Sequence, residues 1–514
     1  MIRIKLKYFL IFFLIFSFYL VYKTGLHGDD LTRVDALFNK SFYYFLSAPF
    51  INKDIHLFTL PGYYFLFWAY WLLGTENQIL YDILKAFFLL LSFYFIFKFC
   101  SNYFSQYKSI LFSLFFIFYL SHDTTTYWYV THTYILVPAL IMYSHHLIDK
   151  KFYYRGFVIN LLSYFAFYTS PPFVFGLSII FLFNKKIKKF FYFVLPGFCY
   201  LFYYSFFYFF TKDIERRVND EISLLQFIKN CIVQFLSAFD AVIGPSFWLK
   251  IYWSTTYLSL FTFIISVIVI VFFIITNDDE KSKKSPILLT SFFTVFILSI
   301  LMIALTGLYT QTAFNLGNRI TIYVSFFISF LIINYIKSKK LISIIIIIFF
   351  LPVFGISDYW KSWNKKQIKI LENIENNLLL KQLNDEDTLI IYNNTYSKFG
   401  PFDHIEFFSM PWNLSSIFKN KVKTRKIVAV TSYITVDENI IIDQKFGNKL
   451  KLGTNIFLYD SNTNILKQID YLDLTKIINN TKIETRHWLQ LMRMSFVEKI
   501  ILYLNPNLQY LFSE

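Results

Sequence analysis

Cysteine is scarce in this sequence, and its three copies, Cys100, Cys199 and Cys231, are far apart. Their spacing provides no disulfide framework and matches no zinc-binding pattern. The phosphate-binding Walker A loop is also absent, so the sequence indicates no ATP-driven machine. Neither half of the chain resembles an inverted copy of the other, as the halves of many transporters do. These absences argue against a disulfide-rich secreted protein, a zinc protein and an ATP-driven pump.

Apolar and aromatic residues are abundant instead. The 514 residues are 56% hydrophobic and include 67 Phe and 39 Tyr, which is more apolar surface than a soluble domain can bury. Many stretches approach the roughly 18–20 apolar residues that cross a bilayer. Runs such as 341–350 (LISIIIIIFF) are continuous rather than alternating, which favours helices over a barrel. The composition therefore predicts a polytopic α-helical membrane protein.

The positive charge is distributed in a way that predicts topology. The net charge is +16, and lysines cluster in short connections between apolar runs, as cytoplasmic loops require. The basic residues 1–7 precede an apolar run without a small-residue cleavage site, so we expect an uncleaved first helix and a cytoplasmic N-terminus. Alternation then gives about 11 spans, near 7–23, 79–98, 108–121, 133–149, 155–169, 171–184, 189–211, 256–276, 285–306, 318–337 and 341–357.

This topology divides the chain into two parts. Residues 1–357 form a multi-span domain with two long outer loops, 24–78 and 212–255. Within the first loop, 61–73 (PGYYFLFWAYWLL) is short and rich in Tyr and Trp, which favours a helix at the membrane interface. Residues 358–514 are more polar, and strand-like segments at 387–394, 425–434, 438–444 and 455–460 predict an extracytoplasmic α/β domain.

Paired carboxylates follow the first helix directly, in "TGLHGDDLTR" (24–33). Asp29 and Asp30 are either solvated acids at a helix end or a catalytic pair. A carboxylate beside another carboxylate in a half-buried site has a pKa suited to a general base. Two adjacent acids on a turn can also hold a divalent cation, Mg²⁺ or Mn²⁺, which in turn holds a phosphate. Farther along the same loop, His56 is either a polar residue at the membrane surface or part of the same site.

Other polar groups occur at predicted outer helix ends. His122, Asp123 and His132 lie in SHDTTTYWYVTHTY, a connection more polar than a link needs, and they are candidates for the wall of a polar cleft. Arg319 begins a late helix; it either snorkels to the interface or clamps a lipid phosphate with its guanidinium. Lys85 lies about two turns inside a predicted span and needs a partner, for which Asp82 is the candidate.

The organisation resembles the GT-C superfamily of membrane glycosyltransferases, which includes the aminoarabinose transferases and the protein O-mannosyltransferases. Gly28–Asp30 resembles the acidic pair after their first helix. The stretch 56–80 (HLFTLPGYYFLFWAYWLLGTENQIL) is similar to their H-P-P-L-Y-Y…L-F-G segment. This chain departs from the pattern in having His132 where an acid is common, and Lys85 as the nearest cation to a usual arginine.

The resemblance implies a transferase that moves a sugar from a polyprenyl-phosphate donor to a lipid, glycan or protein acceptor. The reaction would take place at the outer face of a bacterial inner membrane and would build cell-envelope glycan. Asp29 or Asp30 would serve the acceptor as base, and Arg319 would hold the donor phosphate. His56, Lys85, His122, Asp123 and His132 would contribute to substrate binding.

Two other functions stay open at the level of sequence. A polymerase or ligase of lipid-linked glycans also uses polyprenyl carriers at the outer face, and Arg216 and Arg217 in the second outer loop would be its key cations. A flippase for lipid-linked sugars, or another transporter, would need cations along its central helices, and the sequence shows no relay of ionisable groups there. Such a transporter would not explain a folded outer domain.

Overall fold

Continuous apolar runs fold as helices because a helix satisfies its own backbone hydrogen bonds without water. The computed structural model describes residues 6–51, 55–210, 222–276, 285–307, 309–419, 421–481, 488–493 and 495–505. The helices of the first part are α1 (Leu6–Val21), α2 (Asp29–Leu37), α3 (Phe42–Ile51), α4 (Leu60–Leu73), α5 (Gln78–Cys100), α6 (Gln106–Ile117), α7 (Thr124–Tyr127), α8 (Thr133–Asp149), α9 (Tyr153–Ala166), α10 (Ser170–Phe183), α11 (Ile187–Phe210), α12 (Leu224–Val242), α13 (Pro245–Thr256), α14 (Leu260–Ile275), α15 (Pro286–Thr306), α16 (Ile322–Tyr335) and α17 (Lys339–Asn376).

Within the described residues, six helical stretches are long and apolar enough to cross a bilayer. Five of them correspond to predicted spans, namely α5, most of α11, α15, α16 with the turn before it, and α17. The sixth covers Leu224–Thr256. The other predicted spans, such as α1 and α10, are also helical, but they are shorter. This confirms a mostly helical, membrane-embedded protein.

Two predicted boundaries differ from the structure. The stretch 212–255, expected as an outer loop, contains α12 and α13 over its described part, and the helices are separated where Pro245 begins a new one. Both are helical because their apolar residues recur along one face, which a loop does not require. Helix α17 extends well past residue 357, because between Gly355 and Asn376 the sequence contains no proline or glycine to end it.

The segment between α1 and α5 folds back on itself. Pro61 lies in the first turn of α4, where its missing N–H is not needed, and Gly74 ends that helix with φ of 64°. The Phe45 ring of α3 stacks on Tyr63 and Trp71 of α4, at centroid distances of 5.4 and 5.5 Å. The predicted helix 61–73 is therefore present, and it packs against the segment that follows the acidic pair.

The C-terminal part is a small α/β domain on the end of α17, as the strand pattern predicted. Its helices are α18 (Leu378–Lys381), α19 (Pro411–Phe418), α20 (Tyr471–Asn480) and α21 (Ser495–Leu504). Its strands are β1 (Thr388–Tyr392), β2 (Tyr396–Phe399), β3 (Phe402–Glu406), β4 (Lys426–Ala429), β5 (Ile434–Asp437), β6 (Ile440–Asp443), β7 (Lys449–Lys451), β8 (Ile456–Asp460) and β9 (Ile465–Ile469).

The strands form three sheets. The largest has the order β4-β1-β8-β9, with β1 parallel to β4 and β8 and with β9 antiparallel to β8. A β5-β6-β7 meander and a β2-β3 hairpin complete the domain. The described strands include all four that the sequence pattern predicted.

Contacts between α2 and α19 connect this domain to the segment between α1 and α5. Thr32 Oγ1 donates to Asn413 Oδ1 at 2.7 Å, and Lys419 Nζ lies 2.9 Å from Asp35 Oδ2. The acidic pair at the start of α2 therefore lies at the junction between the helical part and the α/β domain.

Candidate functional site

A cavity of about 450 Å³ opens at this junction. Its walls come from the start of α2, the turn and helix that contain His56 and Leu66, the segments 130–134 and 166–168, and the approach to α16. The C-terminal α/β domain contributes Trp412. Three residues that the sequence singled out line it together: Asp29, His56 and Arg319. Six segments that are separated along the chain thus converge on one space.

Asp29 is the carboxylate that faces this cavity. It occupies the first position of α2, where the unpaired N–H groups of a helix favour negative charge. Its Oδ1 accepts a hydrogen bond from Trp412 Nε1 at 2.8 Å. The Trp412 side chain of the C-terminal domain therefore orients the Asp29 side chain, while the Asp29 carboxylate remains at the surface of the cavity.

Asp30 points the other way and is fully buried. Its Oδ1 accepts hydrogen bonds from the Tyr70 hydroxyl at 2.5 Å and from Val130 N–H at 3.1 Å, and its Oδ2 accepts from His27 N–H at 3.0 Å. Burial raises the pKa of Asp30 to about 7, and the three donors only partly offset that effect. Asp30 is sealed from the cavity and holds the start of α2 against the helices behind it.

Gly28 allows the backbone turn after which Asp29 faces the cavity and Asp30 faces away from it. Its φ is 45°, and a Cβ at this position would lie 2.6 Å from a ring carbon of Trp128. Only glycine has both the required backbone freedom and no side chain to collide with that ring. The glycine of the GDD motif therefore permits the close turn that sends Asp29 and Asp30 in different directions.

Two guanidinium groups face the cavity. Arg319 lies between the rings of Tyr134 and Tyr309, at centroid distances of 5.7 and 5.1 Å. Among the residues that the structure describes, none accepts a hydrogen bond from Arg319 Nε. Arg33 lies one turn after Asp29 on α2 and packs over the Phe67 ring at 5.4 Å. The described lining thus contains two guanidinium groups and the Asp29 carboxylate, and the buried Glu406 carboxylate also acts on Arg319 electrostatically. Guanidinium groups suit an oxyanion such as a phosphate.

The rest of the wall is aromatic and hydroxyl-bearing. The Tyr134 and Tyr168 hydroxyls lie 2.6 Å apart, and both rings line the cavity. The His56 ring lies against Phe67 at a centroid distance of 4.7 Å. Flat aromatic faces and hydroxyl groups beside a cationic end can accept a ligand that is polar on one side and apolar on the other.

Lys85 is a support of the site and does not line the cavity. Its Nζ lies 2.7 Å from Asp82 Oδ1, which confirms the predicted partner. The same ammonium donates to Thr24 Oγ1, to Gly25 O and to Tyr127 O. Asp82 also accepts from the backbone N–H groups of Lys23 and Gly25. This buried pair fixes the turn between α1 and the acidic pair.

Asp123 is likewise occupied by protein groups. Its Oδ1 accepts from Lys250 Nζ at 2.6 Å and from Asn318 Nδ2 at 2.7 Å. Its Oδ2 accepts from Trp360 Nε1 and His404 Nε2, both at 2.8 Å. Burial raises the pKa of Asp123, but His404 and Lys250 outweigh that effect and hold it well below its usual range. The geometry makes Asp123 a structural junction and gives it no share in the cavity.

The candidate residues His122 and His132 are buried near the cavity, but they do not line it. His122 Nδ1 is 2.9 Å from Thr125 Oγ1, and the His132 ring lies 6.0 Å from that of Phe88. For both, Nε2 has no hydrogen-bond partner in the described part of the chain. The structure therefore brings Asp29, His56 and Arg319 together, with Asp30 directly behind, and leaves Lys85, His122, Asp123 and His132 outside.

Sequence reasoning missed several residues of the site. Arg33 had a signal, because it follows Asp29 by four residues, a spacing that puts two side chains on one face of a helix. No local sequence pattern pointed to Trp412, Tyr168 or Tyr309, because each reaches the cavity only through packing between distant parts of the chain. Arg216 and Arg217, the candidates for the alternative enzyme, lie outside the described residues.

The donor set does not fit a divalent cation. Asp29 is the carboxylate at the cavity, whereas both oxygens of Asp30 are taken by N–H and O–H donors. Two guanidinium groups share the space, and a hard cation prefers several oxygen ligands. Across the described ranges, no group of three or more His, Cys, Asp or Glu side chains is placed to hold a metal ion.

Comparisons with known proteins leave the site to be interpreted from its own chemistry. No protein-family model, no curated protein and no solved structure matches this chain.

Proposed function

We propose that this protein is an integral membrane glycosyltransferase that moves a sugar from a polyprenyl-phosphate donor to a hydroxyl group. The acceptor is a lipid, a glycan or a protein at the outer face of a bacterial inner membrane. About 11 spans, a cytoplasmic N-terminus, an extracytoplasmic α/β domain and a GT-C-like organisation belong to this proposal. The observation that carries it is one junctional cavity lined by Asp29, Arg33, His56 and Arg319.

The charges of the cavity suit transfer from a lipid phosphate. Arg319 and Arg33 hold the phosphate oxygens and stabilise the charge that grows on the leaving group. Asp29 takes the proton of the acceptor hydroxyl as its oxygen bonds to the anomeric carbon of the sugar. The bond from that carbon to the phosphate oxygen breaks, and its electron pair leaves with the lipid phosphate.

Asp29 fits the role of base better than Asp30. A general base must come within hydrogen-bond reach of the proton that it removes. Asp29 lines the cavity, whereas Asp30 is fully buried and makes three hydrogen bonds to protein groups. Asp30 is therefore a positioning residue that fixes α2, and through it the direction of Asp29.

The experiment measures sugar transfer by the purified full-length protein from a panel of synthetic polyprenyl-phosphate sugars. We expect Asp29→Asn to lower turnover by roughly 10²–10⁴-fold with donor binding retained. Arg319→Ala should weaken donor binding instead. Asp35→Asn is the matched control, since Asp35 lies on the same helix but pairs with Lys419 at the surface. If the turnover of Asp29→Asn equalled that of the control Asp35→Asn, Asp29 would not be the base.

The same assay separates the competing functions. Donor binding that depends on Arg319, without transfer to any acceptor by the wild-type protein, would favour a lipid-linked sugar transporter. Extension of a lipid-linked glycan that persists in Arg319→Ala but fails in Arg216→Ala would favour a polymerase or ligase. Either result would overturn the transferase proposal as stated.

A further inference from the structure

A second cleft lies in the outer α/β domain. It has a volume of about 320 Å³, and its lining includes Asn315, Tyr396, Ser409, Tyr433 and Phe446. A neighbouring hollow of about 310 Å³ shares Ser409, Thr431 and Asp443 with it, so the two form one groove.

The position of this groove in the sheet is one that ligands often occupy. Thr395 and Tyr396 follow the carboxyl end of β1, and residues 430–433 follow the carboxyl end of β4. These strands are parallel neighbours. In open α/β sheets, ligands bind in the crevice outside the carboxyl ends of the strands.

Most of the described charged groups of the groove contact other groups of the protein. Lys398 Nζ is 2.5 Å from Asp403 Oδ1. Asp443 Oδ1 accepts from the backbone N–H groups of Lys445 and Phe446. Lys445 Nζ lies over the Phe446 ring at 4.9 Å. With Lys449 of the neighbouring hollow, the described lining has three lysines and two aspartates, and protein groups already engage Lys398 and both aspartates. The described groove thus lacks the pair of guanidinium groups that the cavity presents to an anion.

One buried hydroxyl of the groove has no protein partner. Ser409 is 9% exposed and lines both hollows. In the region that the structure describes, its Oγ makes no hydrogen bond. A buried polar atom without a partner costs free energy unless a ligand or water satisfies it. The hydroxyl therefore marks a place where an outside group is expected to bind.

Aromatic rings and uncharged polar groups make up much of the remaining wall. Tyr396, Tyr433 and Phe446 offer ring faces, and Asn315 and Asn480 offer amide groups that both donate and accept. Sugars present hydroxyl groups at their edges and apolar C–H faces that pack on aromatic rings. We infer that this groove binds an uncharged sugar chain, the glycan part of the acceptor. This inference rests on the proposed transferase function.

The groove adjoins the cavity in a way that suits one extended acceptor. The Phe446 ring contacts that of Trp412 at a centroid distance of 5.2 Å, and Trp412 lines the cavity and donates to Asp29. Asn315 in the groove and Arg319 in the cavity belong to one short segment of chain. A chain of several sugars bound in the groove would therefore present its end near the reacting groups.

The test measures retention of the full-length protein in detergent on immobilised neutral di- to pentasaccharides. Tyr433→Ala should weaken retention roughly two- to tenfold through loss of a ring face. Ser409→Ala should weaken it by a similar factor, roughly two- to tenfold for one hydrogen bond, without lowering the melting temperature, because its Oγ has no protein partner. Tyr471→Ala is the matched control, an exposed tyrosine of the same domain outside the groove.

The outcomes separate this inference from the transferase proposal. Retention that is absent for every sugar, or equal in the control and groove variants, would overturn the groove inference while leaving donor-dependent transfer intact. Retention lost in Arg319→Ala but not in the groove variants would assign sugar binding to the cavity. Stronger retention on a Ser/Thr-rich peptide than on any sugar would overturn the choice of ligand. Sugar retention without any transfer would support the groove and contradict the transferase.

Discussion

The buried carboxylate of Asp123 allows a direct test of how the two parts of the protein are joined. It meets Lys250 on α13, Asn318 before α16, Trp360 on α17 and His404 on β3. The Nδ1 atom of His404 accepts from Asn315 N–H and therefore carries no proton, so the ring is neutral and Nε2 holds the proton. Burial, which lowers the pKa of His404, acts in the same direction. All four groups are therefore donors, and they require a charged acceptor with two oxygens.

Asp123→Asn removes that match. The variant leaves the Lys250 ammonium buried without its counter-charge, and it places an NH₂ group opposite N–H donors. Breaking a buried ion pair from one side costs about 3–5 kcal/mol. We expect Asp123→Asn and Lys250→Met each to lower the free energy of unfolding by this amount. The double variant should cost less than the sum, with a coupling of about 1–3 kcal/mol.

Thermal unfolding of the full chain in detergent, followed by near-ultraviolet circular dichroism, measures the effect. Asp35→Asn is the control, because its pair with Lys419 is exposed and worth about 0–1 kcal/mol. If the single variants had the same melting temperature as the wild type, Asp123 would not stabilise the junction between the two parts of the protein. A double variant whose loss equals the sum of the single losses would show that Asp123 and Lys250 do not act as a pair.

Two further predictions concern the acidic motif. Because burial raises the pKa of Asp30 to about 7, the folded state binds a proton that the unfolded state loses near pH 4. Stability should therefore fall by about 1.4 kcal/mol per pH unit as the pH rises from about 4 to 7, then level off. Melting temperatures at pH 5–9 should show this decline in the wild type and not in Asp30→Asn; parallel curves would contradict it. Gly28→Ala should cost about 2–5 kcal/mol, since it adds both a strained φ and a collision with Trp128. Gly447→Ala separates the two effects in the same melting assay, because Gly447 has φ of 70° and nothing within 4 Å of a Cβ; equal losses in both variants would leave no role for the Trp128 contact.

Local patterns predicted the elements of the fold well. Long apolar runs became helices, because a helix satisfies its own backbone hydrogen bonds in a bilayer, and short Ile-rich segments became β1, β4, β6 and β8. The Asp82–Lys85 pair was predictable because residues three apart share a helix face. Each of these predictions depends only on residues that are close in sequence.

The site was only partly predictable, because many of its contacts connect residues that are far apart in sequence. Asp123 and His404 are 281 positions apart, and no local pattern connects them. Trp412 reaches Asp29 across 383 positions. Charge made Asp123 and Lys85 look like ligand-binding groups, but charge alone does not distinguish a residue facing a ligand from one whose partners come from distant helices. Burial and hydrogen bonding make that distinction, and they depend on the fold.

The two carboxylates of the acidic pair have different surroundings, which gives a reason for the chain to carry both. One acid alone would have to hold α2 in place and face the ligand at once, and a carboxylate with three protein donors has little capacity left for a substrate proton. The chain uses Asp30 for the first role and Asp29 for the second, and Gly28 makes the turn between them possible. Asp30→Asn should therefore change the orientation of Asp29 as well as stability, so its turnover should fall less than in Asp29→Asn. Equal losses in both variants would mean that the pair acts as one group, and the division between base and positioning residue would be wrong.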